Sequence, residues 1–393
     1  MESGKEKRIL VFSLAYEPFL GGAELALKEI IKRNTNIKFD LITLRFDSNL
    51  PRFEQKDNLS VYRVGFSKKS PIAEELVKLP MYLVKVFYPI LACLKALSLH
   101  KKNNYHAMWS MMAYAGFAAA LFKLFKPDVR YALTLQEGDT IEHMTGRWRI
   151  RAVYPILKMV FTKPQVVQAI SGYLGQFARS MGYVGQVEVI PNGVDIKKFK
   201  AKEKPEKNKD EIVLITTSRL VEKNALDDVI KSLKYLSGNV VFEILGIGPL
   251  EKALKSLAFD LGLGSRVRFR GYIDHDMLSE HLHKADIFIR PSLSEGMGSS
   301  FIEAMAASLP VIATPVGGIV DFLFDHSKTS GPSTGLFCEV RNPKSIAEKI
   351  TMIIQDKSLR DGIVENASKM VIEKYDWDLI AKDMREKVFN KIL

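Results

Sequence analysis

Along most of the chain, short apolar runs alternate with longer segments in which apolar residues recur every three or four positions. Segment 24–34, with Leu27, Ile30 and Ile31 on one stripe, has this helical spacing. Apolar runs alternating with helices predict parallel sheets built from strand–helix–strand units. In the first half, the predicted strands are residues 9–14, 39–44, 61–64, 106–110, 129–135, 166–170 and 187–190.

The pattern is interrupted once and then restarts. Residues 201–210, AKEKPEKNKD, are charged, contain a proline and lack large apolar side chains, as is typical of a linker. Predicted strands follow at 211–218, 239–246, 266–271, 286–291, 310–314 and 335–340, with helices beginning near Asn224, Pro249, Asp274, Ser300, Gly318 and Pro343. The sequence therefore predicts two Rossmann-like, doubly wound α/β domains, 1–200 and 211–375. We expect them to face each other across a cleft, with ligands beyond the carboxyl ends of the strands.

Length and composition agree with this division. At 393 residues, the chain is long enough for two or three domains of about 150 residues. Its 47% hydrophobic and 26% charged residues exclude a disordered or fibrous protein, and two cysteines are too few for a disulfide scaffold. The apolar run after MESGKEKR is too short for a signal peptide core, so we expect a first strand there and a cytoplasmic protein.

The net charge of +12 is confined to the first half of the chain. Residues 1–200 hold 30 Lys and Arg against 17 Asp and Glu, whereas the remainder holds 27 against 28. This excess predicts that the first domain faces an anionic partner, although ordinary solvated lysines are an alternative. There is no basic–aromatic repeat or zinc-finger spacing, so a membrane surface or a phosphate-bearing acceptor fits better than nucleic acid.

Residues 79–125 are apolar and aromatic and contain no acidic residue. The segment carries Lys85, Lys95, Lys101, Lys102 and Lys123. Pro80, Pro89 and two of these lysines interrupt its first stretch, and its second stretch has only 16 uncharged residues, so we expect neither to span a bilayer. A basic helix lying in the headgroup region and a helix covering the sheet are the two interpretations, the second being favoured for the second stretch.

Two short motifs could bind an anion. Gly21-Gly22 follows the first strand and opens a helix, where backbone N–H groups favour negative charge, although a tight turn explains the glycines equally well. In SRLVEKN, Arg219 and Lys223 lie four residues apart after the first strand of the second domain, where two cations could converge on a diphosphate. A surface lysine and a salt-bridged arginine are the alternative for this fragment.

The strongest motif is residues 292–318, SLSEGMGSSFIEAMAASLPVIATPVGG. Glu295 is predicted on a glycine-containing loop, and Glu303 in the first turn of a helix from about Ser300, near N–H groups that suit a phosphate or a sugar hydroxyl. Ser300 and Glu303 also match a capping box, in which Glu303 would bond back to the Ser300 N–H. No helix cap explains Glu295.

Together with VIPNGVD (189–195) and LGIGPLE (245–251), these motifs resemble a GT-B glycosyltransferase of family 4, in the right order over almost the whole chain. The resemblance implies transfer of a sugar from a nucleotide diphosphate to an acceptor hydroxyl, with retention of configuration and without a metal or other cofactor. It also implies that segment 376–393, with YDWDLIAKDM, runs back to the first domain.

The resemblance assigns roles to single residues. Arg219 and Lys223 match the pair that binds the diphosphate, and Glu295 matches the glutamate beside the donor sugar. Glu303 matches the residue that holds the ribose hydroxyls. The remaining residues implied to contact the donor are Gly21 and Gly22 at the phosphates, Met297, Gly298 and Ser299 at the sugar, and Gly246, Gly248, Tyr272 and Ile273 at the base.

The chain departs from this family after strand 129–135. Many members carry a histidine near the acceptor there, whereas this chain has Gln136, which cannot act as a base at neutral pH. Phosphate-assisted deprotonation could suffice, or Glu137, Asp139 or His143 could act instead, or the activity could be altered. The basic first domain is consistent with peripheral membrane association and with a lipid-linked glycan or cell-envelope precursor as acceptor.

Other functions stay open from sequence alone. A nucleotide-sugar epimerase or a phosphorylase could share the two-domain architecture, and a catalytically impaired sugar-nucleotide-binding protein would keep the same motifs. A dinucleotide-dependent dehydrogenase is disfavoured because LGIGPLE lacks the third glycine of the G-x-G-x-x-G fingerprint. The sequence does not distinguish uracil, guanine and adenine donors.

Overall fold

The computed structural model describes residues 7–19, 21–71, 78–138, 154–200, 210–327 and 331–393. The chain divides into two compact units. The first unit is Met1–Asn192 with Trp377–Leu393, and the second unit is Gly193–Asp376. Apart from Asp210, the expected linker 201–210 lies outside the described residues.

The first unit is built on a sheet whose described strands lie in the order β3-β4-β2-β1-β5-β6-β7-β8. Its strands are β1 Arg8–Phe12, β2 Lys38–Leu44, β3 Phe53–Lys56, β4 Leu59–Val64, β5 Ala107–Met111, β6 Arg130–Leu135, β7 Val166–Ala169 and β8 Val187–Val189. All pairs are parallel except β3 with β4. Because the central strands are covered on both faces, they are apolar along their whole length, which made them visible in the sequence. The pattern missed β3, whose four residues are all exposed.

The helices of the first unit connect these strands and cover the sheet. They are α1 Gly22–Arg33, α2 Met81–Asn103, α3 Met112–Phe125, α4 Tyr154–Thr162 and α5 Gly172–Ser180. In α1, Leu27, Ile30 and Ile31 are buried, as the stripe of apolar residues predicted. Helix α3 buries its run of alanines, so the second apolar stretch of residues 79–125 packs within the unit.

Helix α2 continues through Pro89 without a break. By length and composition alone it could cross a membrane. One side of α2 packs within the first unit, where the buried Tyr88 hydroxyl donates to the carbonyls of Ser13 and Ile42 at 2.9 and 3.0 Å. Its opposite side carries exposed apolar residues: Tyr82, Leu83, Val86, Phe87, Ile90 and Leu94. We call these six residues the apolar face of α2.

The second unit contains a fully parallel sheet with the strand order β11-β10-β9-β12-β13-β14. Its strands are β9 Ile212–Thr217, β10 Val240–Leu245, β11 Val267–Gly271, β12 Ile287–Arg290, β13 Val311–Ala313 and β14 Leu336–Phe337. All six lie within the predicted strands. The order places β9 in the middle, with β10 and β12 on either side, so that the ends of these three strands are neighbours.

Helices cover this second sheet. They are α6 Ile196–Phe199, α7 Leu226–Ser232, α8 Glu251–Asp260, α9 Leu278–Lys284, α10 Ser299–Ala306, α11 Pro343–Gln355 and α12 Lys357–Lys374. A short 3₁₀ turn, Glu222–Asn224, precedes α7, and another, Gly317–Asp321, replaces the helix expected near Gly318. The sequence analysis did not single out α12.

The last segment of the chain packs in the first unit. It consists of α13 Trp377–Asp383, a π-helical stretch Met384–Phe389 and α14 Asn390–Ile392. Phe389 is fully buried, and its ring lies 5.1 Å from that of Trp109 and 5.7 Å from that of Phe39, both in edge-on contacts. Aromatic rings in this geometry attract each other beyond the effect of burial.

We expect Phe389→Ala to destabilise the first unit by about 3–5 kcal/mol, because it leaves a cavity among buried aromatic rings. Tryptophan fluorescence during urea unfolding measures this, since Trp109 and Trp377 are both buried in the first unit. Leu379→Ala, in the same segment but at a side chain that is 37% exposed, is the matched control and should cost less than about 1 kcal/mol. Equal losses in the two variants would contradict the assigned packing.

Candidate functional site

The carboxyl ends of β9, β10, β12 and β13 lie side by side at one edge of the second unit's sheet. The loops that leave these strands are residues 218–225, 246–250, 291–298 and 314–317. Parallel strands all end at the same edge, so residues far apart in sequence gather there. Arg219, Lys223, Glu295 and the glycines at 246 and 248 are all on these loops.

Two glycines allow the loop after β10 to press against the loop after β9. A Cβ atom on Gly246 would lie 1.9 Å from the Ser218 carbonyl oxygen, and one on Gly248 would lie 2.5 Å from that of Leu220. Gly246 also has φ +139°, a conformation that side chains disfavour. The two glycines therefore have a packing role here, whatever ligand the loop contacts.

The loop that carries the two cations is held from both sides. The buried Asn224 side chain donates to the Arg219 carbonyl at 2.6 Å, and the Leu293 N–H donates to the Lys223 carbonyl at 2.7 Å. Arg219 is exposed and forms no ion pair within the part of the chain that the structure describes. The sequence analysis gave Asn224 only as a helix start, and its role in fixing Arg219 was missed.

Glu295 is paired with a buried arginine that the sequence analysis did not single out. The Arg290 Nη2 atom donates to the Glu295 Oε2 atom at 2.8 Å, with both side chains largely buried. Burial lowers the pKa of Arg290, and the charges of Glu295 and Glu303 act in the opposite direction. Glu295 thus has a structural role, because it compensates a guanidinium that has left water.

Arg290 also links β12 to its neighbours. It donates through Nη1 to the Ser300 hydroxyl at 2.8 Å and to the Thr217 carbonyl at 3.2 Å. Its guanidinium lies 4.3 Å from the centre of the Phe301 ring. One side chain therefore connects the end of β9, the start of α10 and the loop of Glu295.

The expected capping box at Ser300 and Glu303 is wrong. The N-cap of α10 is Gly298, with φ +87°, and the Ser300 hydroxyl accepts from Arg290 instead. Helix α10 begins at Ser299, so Glu303 lies in its second turn and not in the first, as had been expected. The Glu303 Oε1 atom is instead 3.0 Å from the His275 Nε2 atom.

The remaining donor residues predicted in the second unit lie on the same edge. Tyr272 and Ile273 directly follow β11, and the Tyr272 side chain is 70% exposed. Met297 is buried, whereas Gly298 and Ser299 form the start of α10. Gly317, on the loop after β13, lies so close that a Cβ atom on it would be 1.9 Å from the Glu295 carbonyl oxygen.

In the first unit, Gly21 caps α1 and Gly22 begins it. The Gly21 N–H already donates to the Glu24 Oε2 atom at 2.9 Å. Burial raises the pKa of the Glu24 carboxyl, although hydrogen bonds to its own N–H and to that of Gly21 oppose this. One of the N–H groups that the sequence offered to a phosphate is therefore used by the protein itself.

Gln136 directly follows β6, and its side chain forms two hydrogen bonds with Asn192. Each amide nitrogen is 3.0 Å from the other residue's amide oxygen. Both Glu137 carboxylate oxygens accept backbone N–H groups, from Ala113 at 2.6 Å and from Gln136 at 2.9 Å. Asp139 and His143, the other candidate bases, lie outside the described residues.

Across the described residues, no group of three or more His, Cys, Asp or Glu side chains is arranged to hold a metal ion. The predicted metal-free chemistry stays a prediction. The charged residues at the edge of the second sheet include Arg219, Lys223, Arg290, Glu295 and Glu303.

Comparison with known proteins identifies a family for the second unit. The sequence profile described as "Glycosyl transferases group 1" matches residues 197–370, which lie within the second unit. Over these residues the chain matches the group 1 glycosyltransferases. It is 32% identical over 176 residues to an uncharacterized glycosyltransferase of Methanocaldococcus jannaschii, a match that covers 44% of each chain.

The likeness extends to a named relative and to a solved structure. The chain is 27% identical over 288 residues to a GDP-mannose-dependent alpha-(1-6)-phosphatidylinositol monomannoside mannosyltransferase of Mycobacterium tuberculosis, covering 68% of this chain and 73% of the relative. Sucrose-phosphate synthase from Thermosynechococcus elongatus superposes with a TM-score of 0.79 at 20% identity, over 97% of this chain and 98% of that one. The fold of the chain is therefore GT-B.

A double-mutant cycle tests the pairing of Arg290 with Glu295. We expect Glu295→Gln to cost about 3–5 kcal/mol, because it leaves a buried guanidinium uncompensated. Arg290→Met alone should also destabilise the protein. The double variant should lose less than the two single losses added together, with a coupling of about 1–3 kcal/mol from urea unfolding.

The control cycle uses Lys255 and Glu251, an ion pair one helical turn apart in which the lysine is 53% exposed. Its coupling should not exceed about 0.5 kcal/mol. Additive losses at Arg290 and Glu295, no larger than those of the control pair, would show that the buried ion pair does not stabilise the loop.

Proposed function

We propose that the chain is a retaining glycosyltransferase of family 4, which moves a sugar from a nucleotide diphosphate sugar to an acceptor hydroxyl. One observation carries the proposal: Arg219 and Lys223 share a sheet edge with Glu295 and Glu303. Two cations suit a diphosphate, and two carboxylates suit the hydroxyl groups of a sugar and a ribose. The GDP-mannose-dependent relative supports a donor of this class.

In the proposed reaction, the bond between the anomeric carbon and the diphosphate oxygen breaks as the acceptor oxygen bonds to the same face of the carbon. Arg219 and Lys223 stabilise the negative charge that develops on the diphosphate, without a metal ion. The acceptor proton passes to the departing phosphate oxygen. No side chain needs to form a covalent intermediate.

Glu295 fits a positioning role in this scheme better than a nucleophilic one. Its Oε2 atom is bonded to Arg290, and its Oε1 atom accepts its neighbour's N–H, from Gly296, at 3.1 Å. A carboxylate held in this way is oriented and partly neutralised, which suits hydrogen bonds to the hydroxyls of a donor sugar. Gln136 cannot take a proton, so phosphate-assisted deprotonation is the proposal that fits both residues.

A panel of UDP, GDP, ADP and their sugars tests donor binding, because a ligand that binds only the folded state raises the melting temperature. We expect one nucleotide series to stabilise the protein. Arg219→Ala and Lys223→Ala should each weaken its binding about tenfold or more, since a hydrogen bond to a charged group contributes about 1.5–3 kcal/mol.

Lys234→Ala is the matched control for these variants, because Lys234 is an exposed lysine of the same unit that precedes β10 at the opposite end of the sheet. It should bind the nucleotide as the wild type does. A protein that binds no nucleotide diphosphate, or that binds it equally well without Arg219 and Lys223, contradicts the proposal. Conversion of a donor sugar without any acceptor would indicate an epimerase instead.

We further propose that the acceptor is a lipid-linked glycan or cell-envelope precursor and that the first unit binds an anionic membrane from the cytoplasm through the apolar face of α2. The six side chains of that face are 38–60% exposed. Lysines flank them, with Lys78 before the helix and Lys101 and Lys102 at its end. Apolar residues between lysines suit the headgroup region of an anionic bilayer.

Charge favours a bilayer over a second copy of this chain. Residues 79–125 contain no acidic residue, so two copies joined through this face would bring lysines together without any carboxylate from the segment to pair them. Anionic lipids supply the missing negative charge. The mycobacterial relative, whose name gives phosphatidylinositol monomannoside as its acceptor, supports a lipid substrate.

Flotation with phosphatidylcholine vesicles, with and without phosphatidylglycerol, tests this face. We expect binding only with phosphatidylglycerol, and Phe87→Ser combined with Leu94→Ser should reduce it at least about tenfold, because two exposed apolar side chains no longer enter the bilayer. Val184→Ser, at a 95% exposed valine of the same unit, is the control and should bind normally. Absent binding, or a dimer that the double variant abolishes, contradicts the membrane proposal.

A further inference from the structure

In the second unit, Glu303 contacts a histidine, His275, which in turn contacts a lysine, Lys198. The His275 Nε2 atom is 3.0 Å from the Glu303 Oε1 atom, and its Nδ1 atom is 3.0 Å from the Lys198 Nζ atom. Lys198 also donates to the exposed Asp276 carboxylate at 2.7 Å. The four side chains form a continuous chain of hydrogen bonds that ends on the carboxylate at α10.

The chemistry of these groups fixes the direction of each hydrogen bond. An ammonium group can only donate, so the Nδ1 atom of His275 must accept from Lys198. An imidazole that accepts at Nδ1 carries its proton on Nε2, and this proton points at Glu303. Lys198 therefore selects the tautomer in which His275 donates to the carboxylate.

His275 and Lys198 are both held in place by neighbouring residues. The ring of His275 packs edge-on against that of Phe199, with 5.6 Å between the ring centres. Phe199 is fully buried, and its carbonyl is 2.7 Å from the Nε2 atom of His283, on α9. Lys198 is on α6, whose N-cap Asp195 accepts the Lys198 N–H.

Glu303 has one oxygen occupied and one available. Oε1 takes the His275 proton, whereas Oε2 accepts no hydrogen bond from the residues that the structure describes. The positive charge of Arg290 also acts on Glu303. A Glu303 without His275 would therefore be free to turn towards a competing cation, away from a ligand.

We infer that His275 is a positioning residue, which holds Glu303 so that its Oε2 atom can accept a hydroxyl of the donor's ribose. This inference rests on the proposed function, since it requires a nucleotide at the sheet edge. His275 and Lys198 do not touch the reacting carbon in this scheme. They act on donor binding through Glu303 alone.

Three variants of His275 test the inference by calorimetric titration with the nucleoside diphosphate that stabilises the wild type. Glutamine can place its amide N–H near the Nε2 position, whereas asparagine is too short and alanine has no donor. We expect His275→Ala and His275→Asn to raise the Kd about tenfold, because a charge-assisted hydrogen bond that orients Glu303 is lost. His275→Gln should stay within about threefold of the wild type.

Kinetics separate positioning from a general structural defect. The ribose contact is the same in the ground state and the transition state, so its loss should raise KM for the donor and leave kcat within about twofold. Lys198→Met keeps His275 but removes the donor that selects its tautomer. It should raise KM by a smaller factor. Should His275→Ala fail to fold, the comparison of His275→Asn with His275→Gln gives the same answer.

A deoxyribose diphosphate distinguishes this inference from the proposed function. The wild type should bind the 2′- or the 3′-deoxy analogue about tenfold more weakly than the ribose form, and His275→Ala should bind both forms alike. A wild type that binds no nucleotide overturns the proposed function itself. A wild type that discriminates, with a His275→Ala variant that discriminates as strongly, overturns only the role of His275.

Discussion

A guanidinium taken out of water organises the site of the second unit. Arg290, at the end of β12, cannot be buried alone, so the chain surrounds it with the Glu295 carboxylate, a hydroxyl, a carbonyl and an aromatic ring. These partners come from three local elements: β9, helix α10 and the loop after β12. The need to satisfy one buried charge therefore determines where the loop of Glu295 lies relative to β9 and α10.

The two glutamates of the site are held in the same way by different partners. Each has one oxygen bonded to a basic side chain, Arg290 for Glu295 and His275 for Glu303. A carboxylate held at one oxygen keeps its orientation and its capacity to accept at the other. Two such groups on the same sheet edge as Arg219 and Lys223 provide oriented acceptors beside two cations, the combination that the proposed transfer from a nucleotide sugar needs.

The sequence predicted the sheets well and the connections between side chains poorly. Every buried strand was visible, because strands covered on both faces are continuous apolar runs, whereas the exposed hairpin strand β3 left no such signal. The resemblance named Glu295 and Glu303 but gave no partner for either. Arg290 and His275 were missed, since an arginine at a strand end and a histidine on a loop become informative only when their neighbours are known.

The paired amides of Gln136 and Asn192 have a consequence for the first unit. Neither side chain can gain or lose a proton at ordinary pH, so this amide pair presents the same dipoles in an acidic and in an alkaline medium. An acceptor that binds beside them in the proposed reaction would be selected by its shape and by the geometry of its hydroxyl groups, not by its ionisation. In the proposed transfer, these two amides therefore leave the acceptor proton to the departing phosphate.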